Sequence, residues 1–279
     1  MRGRLAAGLL CVALLAGPAR ADHDEDEHIT DEMPYTLRPD EWRIGLWKLE
    51  RGFGAGPVDF QLGTYTWPYL LWLADLHLVN VYGKATVWRR GPWSSTLGTG
   101  LVYLRIDGDP DDPSEARFTI IPVEGYLGYR LGPRLTFAGG LVYTRVGVDG
   151  FYQPDDDDAF LRGAVAVDNL QIPITMEWRW SRVTAFVLQA RFLAFQDTAG
   201  DGHGHYDIDD ATMVDVVASG ESNALEPVES FALTTDFVWS WSHVNLRLGL
   251  SYGNVTIPMV NFVSPAKIVF PNFDLYVRF

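Results

Sequence analysis

The run Asp201-Gly-His203-Gly-His205-Tyr-Asp207-Ile-Asp209-Asp210 interleaves carboxylates with imidazoles. Oxygen-rich clusters suit calcium or magnesium, and histidine beside aspartate suits zinc. A second acidic stretch, DGDPDDPSE at 107–115, places Asp107, Asp109 and Asp111 at the first three oxygen positions of a calcium loop. That match breaks at the sixth position, where the loop needs glycine and finds Asp112, and at the twelfth, where it needs glutamate and finds Phe118. The residue types therefore admit a divalent cation such as calcium at Asp107, Asp109, Asp111, His203, His205 and Asp207. The plainer reading is a set of solvated loops whose charge keeps molecules apart. A third acidic run, PDDDD at 154–158, belongs with them.

Nucleophilic chemistry has less support. The histidines are 23, 28, 77, 203, 205 and 243. Only His77 stands where a general base for a membrane-surface acyl transfer could act, and no serine accompanies it. There is no G-x-S-x-G and no phosphate-cradling glycine loop leading into a helix. The expectation is a protein that is not an enzyme.

Targeting comes next. Arg2 and Arg4 precede the apolar stretch LAAGLLCVALLA at 5–16, and Ala19-Arg20-Ala21 offers small residues at a cleavage site. Residues 1–21 read as a secretory signal peptide. Cys11, the only cysteine, would leave with it, so the mature chain would hold neither disulfide nor thiol chemistry. Three of the 22 Lys+Arg would also leave, setting 19 bases against 36 acids. That balance excludes a nucleic-acid partner, which requires a basic face. Residues 22–40 open with DHDEDEHITDE, seven acids in eleven positions, and read as an acidic disordered leader.

From residue 41 the hydrophobic period is two. Ile172, Ile174, Met176, Trp178 and Trp180 alternate with Pro173, Thr175, Glu177, Arg179 and Ser181. Phe231, Leu233, Phe237, Trp239 and Trp241 alternate with Ala232, Thr234, Asp236 and Ser240. A period of two puts neighbouring side chains on opposite faces of a sheet. Strands are expected at 41–50, 58–67, 75–89, 95–107, 117–131, 135–149, 165–180, 183–197, 228–241, 244–257 and 270–279. Many are longer than the five or six residues usual in soluble sheets. Short turns near 90–93, 131–134, 180–183 and 241–244 rotate with long polar links at 107–117, 149–163, 197–227 and 258–269. Short turns on one side and long loops on the other are the plan of a transmembrane β-barrel. Eleven strands is an odd number, and bacterial barrels take even ones. The expectation is about twelve, the missing strand lying near 34–38 or 212–219, with ten as the alternative.

In that architecture the greasy rows face lipid and the polar rows face the lumen. Trp88, Trp93, Trp178, Trp180, Trp239 and Trp241 all lie within a few residues of a short turn, where amphipathic rings meet the water–lipid boundary. The chain ends NFDLYVRF, with Phe273, Leu275, Val277 and Phe279 on one face. This resembles the C-terminal signature of Gram-negative outer-membrane β-barrels. The resemblance implies an all-β antiparallel transmembrane barrel over 41–279 in the cell outer membrane, bathed in outer-membrane lipid and assembled by the barrel-assembly machinery. It names no particular family. The pattern looks the same for a face against lipid and a face against a sister barrel, so it sets no oligomeric state.

The lumenal row carries Glu124, Glu177, Asp236 and Asp274 together with Arg130, Arg179, Arg191, Arg247 and Arg278. A selective pore usually presents a ring of one sign, whereas a mixed set pairs across a narrow interior. Two readings stay open: a narrow wet path, or a lumen locked by its own charges. The expected role is a narrow or partly occluded, porin-like barrel for small solutes. The alternatives are a non-conducting structural or surface-binding barrel with cation-binding acidic loops and, third, a lipid-modifying enzyme.

Overall fold

The structure, a computed structural model, describes residues 35–55, 58–66, 77–107, 114–153, 160–209, 212–222, 231–241, 243–257, 260–263 and 267–279. The strands are β1 (Trp42–Gly45), β2 (Lys48–Ala55), β3 (Val58–Tyr65), β4 (His77–Arg90), β5 (Trp93–Asp107), β6 (Glu115–Leu131), β7 (Leu135–Tyr152) and β8 (Phe160–Arg179). They continue with β9 (Thr184–Asp209), β10 (Thr212–Ser222), β11 (Phe231–Trp241), β12 (Val244–Tyr252), β13 (Asn254–Ile257), β14 (Val260–Val263) and β15 (Val269–Arg278). Twelve of them form one closed antiparallel wall. It runs from β1 through β9 in chain order, then β11, β12 and β15, and β15 returns to β1. The seam is sealed by Trp42 N–H to Phe279 O at 2.8 Å and Phe279 N–H to Trp42 O at 3.1 Å.

The wall has the polarity of a membrane cylinder. Val81, Leu97, Val123, Leu127, Leu141, Ile174, Phe237, Leu248 and Phe273 point outward and are each between 40% and 55% exposed. Arg43, Glu50, Gln61, Gln171, Asp236 and Asn245 point inward and are at most 3% exposed. Apolar groups outside and polar groups inside reverse the arrangement of a soluble core and are stable only where hydrocarbon bathes the exterior. Closure is what makes that surface tolerable, because hydrocarbon offers no partner to an open strand edge.

The first expected strand, 41–50, is two strands. Leu46-Trp47 turns the chain between β1 and β2, and Leu46 N–H bonds to Leu275 O at 3.1 Å. That hairpin supplies the twelfth wall strand. Its turn points toward the long-loop end, so the rotation of short and long links does not hold there. Residues 35–38 form no strand. The 212–219 stretch lies in β10, which adds to β9 beyond the wall rather than within it. The expected 197–227 link is largely sheet. β9 pairs with β11 only from Thr184 to Phe192 and then continues between β8 and β10 to Asp209. At 26 residues β9 spans roughly 85 Å, against a bilayer band of ~25 Å. The 258–269 link likewise contains part of the β13–β14 hairpin.

Leu248 sits on the outer face, between Phe237 of β11 and Phe273 of β15. A Leu248→Arg substitution is expected to lower unfolding free energy in lipid vesicles by about 2–4 kcal/mol. A loss below ~0.5 kcal/mol, the range of an ordinary surface change, would mean that this face does not meet hydrocarbon.

Candidate functional site

The lumen is organised by charge. Arg43 of β1 donates from Nη1 to Glu50 Oε2 at 2.8 Å and from Nη2 to Asp274 Oδ2 at 2.6 Å. Its guanidinium lies 4.0 Å from the centroid of the Tyr276 ring. Glu50 also accepts from Gln61 Nε2 at 2.9 Å and from the Tyr82 hydroxyl. These residues come from β1, β2, β3, β4 and β15, so one buried network ties the short strands to the last one. A second group joins Arg247 to Asp236, which Asn272 Nδ2 also contacts at 3.2 Å. In a third, Arg191 donates to Gln189 at 2.8 Å and to Gln171 at 3.3 Å, and Gln171 donates to Asn169 at 2.8 Å. Glu124 points into the same interior, where the opposing charges of Lys84, Lys48 and Arg191 act on it. A side chain at Gly98 would collide with it, at 2.6 Å from Oε1.

Glu177 and Arg179 are buried on the inner face of β8, and Arg179 Nε reaches Ser181 O at 3.2 Å. Arg130 bonds to Gly132 O at 3.2 Å, and Arg278 bonds to Glu41 Oε1 at 2.8 Å, both at the short-turn end. All nine lumen candidates thus lie on the inner row, but they form separate groups rather than a single ring.

Sequence reasoning missed a feature at the short-turn end. Residues 35–40, assigned to the disordered leader, enter the barrel. Asp40 N–H bonds to Gly52 O at 3.0 Å, and Gly52 N–H bonds to Glu41 O at 2.8 Å. From there the segment crosses the interior. Leu37 N–H donates to Gln61 Oε1 at 2.8 Å, and the Leu37 side chain is 1% exposed. Thr36 Oγ1 meets Thr86 Oγ1 of β4 at 3.0 Å, and the Tyr35 hydroxyl donates to Thr136 Oγ1 of β7 at 2.8 Å. Burial pushes the Tyr35 phenol well above its ordinary pKa, which keeps the proton that this bond needs. Residues 36–40 are anchored on the neighbouring strands β2, β3 and β4, and the Tyr35 side chain reaches from there to β7, five strands round a wall of twelve. Two inward glycines permit the passage. A Cβ on Gly52 would lie 1.9 Å from Arg38 O, and one on Gly54 would lie 2.9 Å from Pro39 Cγ. The alternation of glycine in RGFGAG at 51–56 was the available signal, since glycine in a strand marks close approach by another backbone.

The aromatic girdle lies at the same end. Trp88, Trp93, Trp178, Trp180 and Trp241 are exposed and Trp239 is half-buried. Trp178 and Trp180 stack at 5.7 Å, and Trp93 packs on Tyr129 at 4.6 Å. Trp42, 5.1 Å beneath the Arg51 guanidinium, belongs with them and was not singled out. Phe273, Leu275 and Phe279 are exposed on the outer face, with Val277 partly covered on the same row.

The metal candidates are not brought together among the described residues. Asp107 of β5 bonds to Arg105 at 2.5 Å, whereas His203 of β9 packs edge-on against Phe160 at 5.3 Å. Asp109 and Asp111 lie outside the described residues, as do the side chains of His77, His205 and Asp207. Among the described residues no group of three His, Cys, Asp or Glu could hold a metal ion.

Removing one partner from a buried charge network leaves the others uncompensated. Arg43→Met is expected to cost about 3–5 kcal/mol of unfolding free energy in vesicles, and Glu50→Gln with Asp274→Asn in that background is expected to recover part of it. A loss under ~1 kcal/mol, the worth of an exposed pair, would show that the network is solvated.

No family model and no curated protein matches the chain. Among solved structures it is similar to the toluene transporter TodX of Pseudomonas putida, with 8% identity and a TM-score of 0.38, over 96% of this chain and 92% of that one. It is also similar to CdiB from Acinetobacter baumannii, with 7% identity and a TM-score of 0.35, over 87% of this chain and 60% of that one. At those scores the strand pairing described above, not the likeness, defines the barrel.

Proposed function

We propose that the protein is a narrow transport barrel for small solutes in the outer membrane of a Gram-negative cell, closed at its periplasmic mouth by its own residues 35–40. The observation that carries this reading is the seating of that segment across the lumen from Gly52 to Thr136. The short turns and tryptophan-rich rim support reading this mouth as the periplasmic one, by the rule for bacterial barrels. The segment is held by noncovalent contacts. Each of its hydrogen bonds to Gln61, Thr86 and Thr136 contributes on the order of 1 kcal/mol net. Such a closure is displaceable, unlike the wall strands, which are hydrogen-bonded to a neighbour on either side. The C-terminal aromatic strand remains the proposed recognition element for the assembly machinery. We read the protein as non-enzymatic, its chemistry being that of a passage.

A non-conducting barrel is the second reading, favoured by a different observation. Val102, Ile120 and Val146 form an apolar cluster on the inner face of β5, β6 and β7, each 8% exposed or less. An interior packed at that level as well would remain shut after the mouth opened.

Planar-bilayer recording separates the two. The full chain is expected to show rare, small openings, and a chain lacking residues 22–40 to conduct in frequent, larger steps. Gly52→Val should reproduce the deletion, because its side chain must displace the Arg38 carbonyl. Baseline current from both variants, with heat-modifiable migration proving them folded, would establish the non-conducting barrel instead.

A further inference from the structure

Toward the long-loop end the inner row of β5 to β8 turns apolar. Beyond Val102, Ile120 and Val146 the next inward residues are Leu104, Phe118, Val148 and Val165, paired from strand to strand. One step further Ile106, Ala116, Gly150, Gly163 and Gly202 stand in register from β5 to β9. They floor a cleft of about 540 Å³, with Tyr152 and Leu161 beside them. Three adjacent glycines leave that floor bare. A Cβ on Gly150 would meet nothing nearer than Glu115 O at 3.7 Å, and one on Gly163 nothing nearer than Asp201 O at 3.8 Å. Ile106, Val148, Tyr152, Leu161 and Val165 are each between 44% and 54% exposed, although their row faces away from lipid. Apolar surface gathered in a cleft is the mark of a ligand site.

We infer that this cleft binds an uncharged, largely hydrocarbon small molecule, and that such molecules are the solutes the barrel admits. The charged residues at its edge, Asp107, Glu115 and Arg162, belong to the outer row. There Arg105 holds Asp107 at 2.5 Å and Glu115 at 3.2 Å, and Arg117 holds Glu115 at 2.5 Å. Those carboxylates are matched within the wall and call for no ionic ligand. The links that join these strands, GDPDDP at 108–113 and PDDDDA at 154–159, carry no large apolar side chain to cover the cleft. Lipid tails wet the opposite face of the same strands, which leaves a free molecule as the occupant. The volume is that of a small-molecule site rather than of a protein interface. Through Leu104, Phe118 and Val148 the cleft is continuous with Val102, Ile120 and Val146, so its apolar surface leads inward. The assignment of the bound molecule as cargo rests on the transport reading above; the binding itself does not.

The test uses N-phenylnaphthylamine and its sulfonated analogue, one ring system without and with a charge, on the full chain in lipid nanodiscs. Fluorescence is read against empty discs of the same lipid, and heat-modifiable migration shows each variant folded. The neutral probe is expected to show a saturable component that empty discs lack. The sulfonate should bind at least about tenfold more weakly, because its charge would lose water without gaining a partner. Gly163→Leu fills the cleft and should weaken the neutral probe about tenfold, as displacing two buried methylene groups would. Gly139→Leu adds the same side chain to open space between Phe137 and Leu141 on the lipid face, and should leave binding unchanged. No saturable component, or equal loss in the two variants, would overturn the site. Equal affinity for the two probes would overturn the uncharged class. A phospholipid retained by the purified chain but not by Gly163→Leu would make a lipid tail the occupant instead, and a dimer lost in Gly163→Leu would make it a second copy. Bilayer recording separates this inference from the transport reading. A conducting barrel without saturable binding keeps the passage and loses the site. Binding with the Gly163 dependence described, in a barrel that never conducts, keeps the site and loses the passage.

Discussion

Every backbone donor and acceptor that meets hydrocarbon must find its partner within the protein. In this chain that requirement comes to rest on one seam. β1 is only four residues long, yet it is the strand that joins the end of the wall to its beginning, through Trp42 and Phe279. The side-chain contacts around it are correspondingly dense. Arg43, on the inner face of that strand, ties its neighbour β2 through Glu50 and its neighbour β15 through Asp274. The buried ion pair therefore stands where backbone pairing is shortest. By itself a buried pair is a weak source of stability, since desolvation cancels much of the attraction. Here its value is register: it fixes which residues of β1, β2 and β15 face each other, at the point where a slip would open the cylinder.

The narrow interior then shapes function. Twelve strands enclose a space that side chains can fill. Lipid claims the outer row, so polar residues go inward, and each must be satisfied there. The result is a set of local networks, around Glu50, Asp236 and Gln171, in place of a continuous charged ring. Under the proposed transport reading, a solute would exchange its hydration for those groups and would pass the segment at the mouth. The two inward glycines of β2 make room for that segment at the expense of side chains that would otherwise have packed there. The wall and its closure are thus encoded together, in a stretch of six residues.

The exterior was legible in the sequence because its signal repeats. Phe231, Leu233, Phe237, Trp239 and Trp241 obey one period over eleven residues, and six tryptophans fall beside short turns. What was hidden depended on residues that break no local rule. Leu46-Trp47 turns the chain without proline or asparagine, and Gly45 before it is a single glycine in an apolar run, so two strands read as one. β10 alternates like a wall strand but pairs beyond the wall, a distinction set by where β9 leaves its neighbours. Tyr35 and Leu37 follow an acidic run and share its polar surroundings, so they read as leader. Their burial comes from contacts 24 and 101 residues away, with Gln61 and Thr136. The inner row was legible as a row, but Arg43 with Asp274, 231 residues apart, was not legible as a pair.

The central claim is that residues 35–40 close the lumen, and a reversible staple addresses it most directly. Thr36 Oγ1 and Thr86 Oγ1 lie 3.0 Å apart, so cysteines at both positions place their sulfurs near the ~2 Å of a disulfide. In a Cys11→Ser background, Thr36→Cys with Thr86→Cys leaves no competing thiol in the chain. With the disulfide formed, bilayer recordings are expected to show no openings, and reduction is expected to restore them. Openings of the same size and frequency in the oxidised and reduced states, with the bond shown intact, would contradict the account.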